Sequence, residues 1–157
     1  LRGPMNILVS LLLILFVSNP FTNSSIEKPA ANDDKVEITI EANDQMRFNL
    51  SEIKVKEGDT VVLTLKHVGK LPKAAMGHNW VLLKKDVAMA DFAKTAMTAK
   101  ATDYIPEGTE DVIVHTKMLG GGEETTIEFE APAKGEYTFI CSFPGHYALM
   151  NGKFIVE

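Results

Sequence analysis

Tyr137-Thr-Phe-Ile-Cys141-Ser-Phe-Pro-Gly-His146-Tyr-Ala-Leu-Met150 joins two kinds of sequence in one stretch. Tyr137, Phe139 and Cys141 fall on alternate positions, the period of a β-strand with one buried face. Pro144-Gly145 then supplies a turn dipeptide that folds the chain back on itself. Past the turn stand His146 and Met150. A thiol, an imidazole and a thioether are thus gathered at one strand end. That is a ligand set for a soft or borderline metal, with copper first. Cys141 is the one cysteine in the chain, so no intramolecular disulfide can form. A lone thiol in an exported protein is a liability unless it is buried or occupied.

The same alternation extends in both directions from this stretch. Val36, Ile38 and Ile40 predict a first strand, and Phe48 to Val55 a second. Val61, Leu63 and Leu65 predict a third, and His78 to Leu83 a fourth that carries Trp80. Val112 to His115, Ile127 with Phe129, and Phe154 with Val156 complete the set. Turns are expected at Asn43-Asp44-Gln45, Glu57-Gly58-Asp59, Gly120-Gly121-Gly122 and Ala131 to Gly135. Seven or eight short strands, with turn signals about every 8–12 residues, predict an all-β Greek-key β-sandwich. One segment breaks the pattern. Asp86 to Lys100 predicts a single excursion helix, capped by Asp86, with Met89, Phe92, Ala93, Ala96 and Met97 as its packing face.

The chain has 157 residues, of which 45% are hydrophobic and 24% charged. A net charge of -5 argues against a nucleic-acid binder, which would need a basic stripe. Ile7 to Val17 is apolar but for Ser10, shorter than the roughly 20 residues a spanning helix needs. Residues 1–24 are therefore expected to be a signal peptide, and 25–35 a flexible, polar lead-in. The folded domain is expected over residues 36–157, in an exported protein.

A metal site of this type calls for a second imidazole. The histidines are His67, His78, His115 and His146. His78 lies in Met76-Gly-His-Asn-Trp80, where a loop becomes a strand, and donors at the root of a sheet are well positioned. Gly77 allows close backbone approach, so its carbonyl can face a metal. His78 is the favoured fourth donor on these grounds, with a surface histidine at a strand entry as the alternative. Cys141 and His146 as a nucleophile–base pair would need an orienting third group and an oxyanion hole, which the sequence does not supply.

Met76-Gly-His-Asn-Trp80 together with Cys141-x4-His146-x3-Met150 resembles the azurins, blue-copper proteins of the cupredoxin family. Asn43-Asp-Gln-Met-x-Phe48-Asn, His67-x-Gly-x-Leu-Pro-Lys73 and His115-Thr-Lys117 are similar to segments of that family in the same order. The resemblance spans about residues 36–157. It implies one copper ion per chain, cycling between Cu(I) and Cu(II). His78, Cys141 and His146 would be its main ligands, with the Met150 thioether and the Gly77 carbonyl as weak opposed contacts. It also implies that the backbone N–H groups of Asn79 and Phe143 tune the sulfur. The implied function is a periplasmic electron shuttle, monomeric, without catalysis or a substrate pocket. Transient redox partners would dock at an apolar patch of Met46, Leu71, Met76, Phe143, Pro144, Ala148 and Leu149. His67 would sit beside the site without binding metal, and His115 would lie at the surface. A copper carrier or storage protein is the rival reading. One departure stands out: azurins carry a disulfide near the amino end, and here Val36 and the Gly58-Asp59 turn lie about where its cysteines would be.

Overall fold

The computed structural model describes residues 35–157. The expected leader (1–24) and nearly all of the expected lead-in (25–35) lie outside the described residues. From Lys35 onward the strands are β1 (Lys35–Asn43), β2 (Arg47–Phe48), β3 (Glu52–Val55), β4 (Thr60–His67), β5 (Val81–Leu83), β6 (Val112–His115), β7 (Glu124–Glu130), β8 (Gly135–Ile140) and β9 (Asn151–Val156). Two helices interrupt them, α1 (Lys73–Met76) and α2 (Met89–Ala96), and a single 3-10 turn covers Lys100–Thr102. One sheet runs β2-β1-β4-β7 and the other β3-β9-β8-β5-β6. β1 pairs in parallel with β4, and β3 with β9, while the other pairings are antiparallel.

Period two is legible in β4. Val61, Leu63 and Leu65 are fully buried, and the residues between them reach outward. The next buried position on that face is His67, which carries the core up to the end of the sandwich where the metal motif gathers. Trp80 fills the space between the sheets. Its ring centroid lies 5.7 Å from Phe139, 6.0 Å from Phe129 and 6.1 Å from Phe154. Its indole Nε1 is buried without a hydrogen-bond partner.

The architecture is the expected β-sandwich, and it departs from expectation in detail. The stretch from Phe48 to Val55, expected as one strand, is divided between the sheets, which raises the count to nine among the described residues. The crossing is held from both sides. Asn49 N donates to Glu41 O (3.0 Å) and Asn49 Oδ1 accepts from Glu41 N (2.7 Å), while Lys153 N donates to Ser51 O (2.9 Å). β5 is shorter than expected, and His78 meets Leu119 in an isolated bridge instead.

The excursion helix is also shorter than 86–100. Asp86 does not cap it. That residue has a left-handed φ of 64°, and the N-cap position is Ala88 with no side-chain bond. Phe92, Ala93 and Ala96 are buried as expected, but Met97 follows the last helical residue and is 49% exposed. Phe92 and Ala96 pack with Val81, Leu83 and Ile140 in a second, smaller core. The helix thus covers the outer face of the second sheet, and β5 is buried on both faces.

At the far side, the Glu57-Gly58-Asp59 turn clasps neighbouring strand ends. Lys56 N donates to Asp59 Oδ2 (2.8 Å), Gly58 N to Ala131 O (3.2 Å), Ala131 N to Asp59 O (2.8 Å) and Glu57 N to Glu157 O (3.1 Å).

Candidate metal centre

The strand β8 ends at Ile140, and Cys141 follows it directly. Cys141 N donates to Met150 O (3.0 Å), which ties the two ends of the loop together. Within the loop His146 N donates to Phe143 O (3.0 Å), with Pro144 and Gly145 between them and Gly145 at φ 80°. This is the hydrogen bond and residue pattern of a type II turn, whose third position favours glycine. Leu149 N and Met150 N then return to His146 O at 3.0 and 2.8 Å. The folded loop brings Cys141 Sγ to 3.7 Å from His146 Nδ1.

The other half arrives from the end of α1. His78 N donates to Leu119 O (3.0 Å), and Leu119 N to His78 O (2.7 Å). The ring is fixed by Nε2 donating to Asn43 O at 2.9 Å, which leaves the lone pair on Nδ1. A carbonyl behind a histidine sets its tautomer in this way. Nδ1 lies 3.8 Å from Cys141 Sγ, and Gly77 O lies 3.9 Å from the same sulfur. Gly77 has no unusual φ; it is glycine for want of space. A Cβ there would stand 2.7 Å from Lys73 O and 2.9 Å from both Met118 Sδ and Phe143 Cδ2.

His78, Cys141 and His146 therefore offer two imidazole nitrogens and a sulfur, all within 4.8 Å of one another. Donors about 2.0–2.3 Å from one shared ion stand roughly 3.5–4 Å apart, the separation of both Sγ···Nδ1 pairs. His78 and Cys141 are fully buried, and His146 is 4% exposed. Burial lowers both imidazoles to about 4, although the Asn43 carbonyl partly opposes this at His78. Burial pushes the thiol up to about 12, against the N–H groups of Asn79 and Phe143 that point to the sulfur. At neutral pH the trio is uncharged. A bound cation would supply the charge that stabilises the thiolate, so the donors fit a thiophilic metal.

Met150, the remaining expected donor, is fully buried beneath the closed loop and belongs to the main core. His67 lies alongside, its ring centroid 4.4 Å from that of His78. Both its nitrogens are engaged: Nδ1 accepts from Gly69 N (3.1 Å), and Nε2 donates to Met76 O (2.8 Å). His115 is exposed at the end of β6, with Nδ1 at 3.0 Å from Thr116 O. Of the expected surface patch, Leu71, Ala148 and Leu149 are exposed, and Met46, Met76, Phe143 and Pro144 are half-buried. The Phe143 ring stacks 4.5 Å from that of His146.

Sequence reasoning missed the side chain that joins the two halves. Asn79 Nδ2 donates to Ser142 Oγ (2.8 Å) and to Asp103 O (3.2 Å), and Asn79 Oδ1 accepts from Ser142 N (2.8 Å). Asp103 has a left-handed φ of 57°, and its Oδ2 accepts from Met118 N (2.9 Å). No motif announces this bridge, because its partners lie 24 and 63 residues away in sequence.

Comparison with known proteins agrees with this geometry. A sequence profile described as copper binding proteins, plastocyanin/azurin family, matches residues 34–157. Outer membrane protein H.8 of Neisseria meningitidis serogroup B is 47% identical over 119 residues, covering 73% of this chain. The chain spans only 64% of the length of that relative. Azurin from Alcaligenes faecalis is 44% identical over 120 residues, 74% of this chain and 94% of its own. Among solved structures, an azurin (Az-iso2) from Methylomonas sp. strain J superposes with a TM-score of 0.71 at 34% identity, covering 78% of this chain and 98% of its own. Auracyanin A, a blue copper protein from Chloroflexus aurantiacus, gives 0.72 at 33% identity, covering 78% and 99%. With its two-sheet sandwich and its buried His–Cys–His trio, the chain belongs to the plastocyanin/azurin family of copper-binding proteins.

Proposed function

We propose that the chain holds one copper ion and shuttles single electrons between redox proteins in the periplasm. His78, Cys141 and His146 are the main ligands in this reading, with the Met150 thioether and the Gly77 carbonyl as weak contacts. The observation that carries it is the buried, preformed thiol–bis-imidazole trio. The ion would supply a one-electron Cu(I)/Cu(II) couple, which thiolate and imidazole together can serve in both states.

The chain's own residues do the rest. The Asn43 carbonyl fixes the His78 ring. Asn79 and Phe143 direct N–H groups at the sulfur. Donors held from behind in this way rearrange little when charge changes. His146 has the only exposed edge of the trio, and it lies under Phe143. Electrons would pass there, through the apolar patch of Met46, Leu71, Met76, Phe143, Pro144, Ala148 and Leu149. Partners would dock weakly, as transient redox encounters do, and the protein would act as a monomer. No bond chemistry is assigned to it. The H.8 relatives are outer membrane proteins by name, which supports an exported location. A carrier for copper would need an exchangeable site, and full burial of His78 and Cys141 argues against that.

The test is the visible spectrum after stoichiometric Cu(II) is added. An intense thiolate-to-copper band, lost in Cys141→Ser and reversibly bleached by one electron per chain, is expected. A colourless protein that takes up Cu(I) alone overturns the electron-shuttle reading in favour of the carrier.

A further inference from the structure

The residue after His146 is held from two sides. Residues 146–150 make one helical turn, closed by Leu149 N and Met150 N on His146 O. Around this turn Phe143 O and His146 O accept from N–H groups of the loop, and Met150 O accepts from Cys141 N. Tyr147 O and Ala148 O have no backbone donor among the described residues. One side chain takes both. Asn151 Nδ2 donates to Tyr147 O (2.8 Å) and to Ala148 O (3.3 Å). The end of a helical turn leaves such carbonyls open, and a side-chain donor just beyond it closes them.

Asn151 is itself fixed. It opens β9 and stands in register with Ile140, the last residue of β8 and the one before Cys141. Its side chain thus reaches back from the strand ladder over the loop that the ladder carries. The job needs a short side chain with an N–H. Aspartate has the same shape but at neutral pH only accepts. The ring of Tyr147 goes the other way. It is half-buried and packs on the second core, where Phe92 and Ala96 of α2 meet Ile140. The carbonyl of Tyr147 is therefore tied to a strand and its ring to a helix. The excursion helix, which interrupts the strand pattern, serves here as a backrest for the ligand loop.

We propose that Asn151 and Tyr147 are positioning residues for the metal centre. They clamp the turn between His146 and Met150 to β9 on one side and to α2 on the other, so that the imidazole and the thioether keep their places whatever charge the ion carries. Donors pinned by outer contacts rearrange little, and the pinning groups tune the metal without touching it. The purpose of the clamp rests on the electron-shuttle reading; its presence can be measured without metal.

The first measurement is relaxation dispersion of amide resonances in the metal-free protein. Asn151→Leu keeps the branching of the side chain and removes its N–H groups, and Tyr147→Ala removes the ring. Each should raise the population of an open loop roughly tenfold, the effect of losing a hydrogen bond or two. Millisecond broadening should then appear at the Leu149 and Met150 amides, while Leu63 and Leu65 of β4 stay sharp. Tyr147→Phe retains the ring and should behave as the wild type. The second measurement uses the copper-loaded protein. Both loosened variants should shift the midpoint potential and slow electron self-exchange between the Cu(I) and Cu(II) forms by about tenfold, with Tyr147→Phe again unchanged. A loop as sharp as in the wild type in either variant overturns the proposal. So does broadening that extends equally to β4, which would make the two residues general stabilisers, or a wild-type potential and self-exchange rate beside a loosened loop. If Asn151→Leu does not fold, Tyr147→Ala against Tyr147→Phe decides. A wild-type protein that forms no blue centre would sink the electron-shuttle reading, and the metal-free measurement would still decide whether the turn is clamped.

Discussion

Replacing Asn79 by leucine keeps the branching and heavy-atom count of the side chain and removes every polar contact it makes. Two buried groups then lose their partner, Ser142 N–H and Ser142 Oγ, and so does the part-buried Asp103 carbonyl. A buried donor or acceptor left unpaired costs about 1–3 kcal/mol, taken as about 2 for the N–H and about 1 for each of the two oxygens. The sum is about 4 kcal/mol, a large share of the roughly 5–15 kcal/mol that holds a domain together. At about 3 °C per kcal/mol for a domain of this size, the melting temperature should fall by about 12 °C. The assay is urea unfolding of the metal-free protein, where the midpoint should move without a change in slope. A cycle sharpens it. Asn79→Leu combined with Ser142→Ala no longer leaves a hydroxyl unpaired, so the double variant should be about 1 kcal/mol less destabilised than the sum of the singles. The reasoning is refuted if Asn79→Leu costs less than about 1 kcal/mol, or if the two changes simply add.

Four further outcomes are expected. Copper binding at neutral pH should release one proton per ion, because the thiol is held up to about 12 and both imidazoles are already neutral at about 4; calorimetry in two buffers of different ionisation heat measures it, and release near zero contradicts a buried thiol. Trp80 should fluoresce far to the blue of an exposed tryptophan, since it is fully buried and its Nε1 has no partner, and the emission should move red on unfolding. Gly77→Ala should cost about 1–3 kcal/mol from overpacking, because the new methyl would meet Lys73 O and the Phe143 ring; melting of the metal-free variant at the wild-type temperature would contradict it. The N–H groups of Lys70 and Leu71 hold the Asp44 carboxyl below its usual 3.8. Its stabilising effect is therefore present above that value and lost as pH falls through the lower one, so the Lys70 and Leu71 amide resonances should titrate with a midpoint below 3.8 and lose that step in Asp44→Asn.

The strands and the donors were legible for different reasons. Val61, Leu63 and Leu65 alternate because one face of β4 is solvated, and alternation survives in sequence as a local pattern. Cys141 and His146 were legible because five residues and a Pro-Gly turn fix their separation. His78 needed its setting, a glycine before it and a strand after it. What failed was context that only tertiary packing supplies. Nothing in Phe48 to Val55 marks the crossing between sheets, since both halves have strand composition, and the bonds that divide them go to Glu41 and Lys153. Asp86 has the chemistry of a cap, but the backbone takes a left-handed turn there and the helix begins later. Asn79 bridges to Ser142 across 63 residues, a distance at which no local rule operates.

The clasp at Glu57-Gly58-Asp59 has a consequence for where the protein can fold. The chain ends of β7 and β9 are fastened to this turn by backbone amides and one carboxylate. No oxidase or isomerase is required to make such a fastening, and no reductant can open it. Folding stability should be the same with and without dithiothreitol in the metal-free protein. Thiol redox chemistry is then confined to Cys141 and whatever ion it holds, so the fastening of the scaffold does not depend on the thiol redox conditions around it.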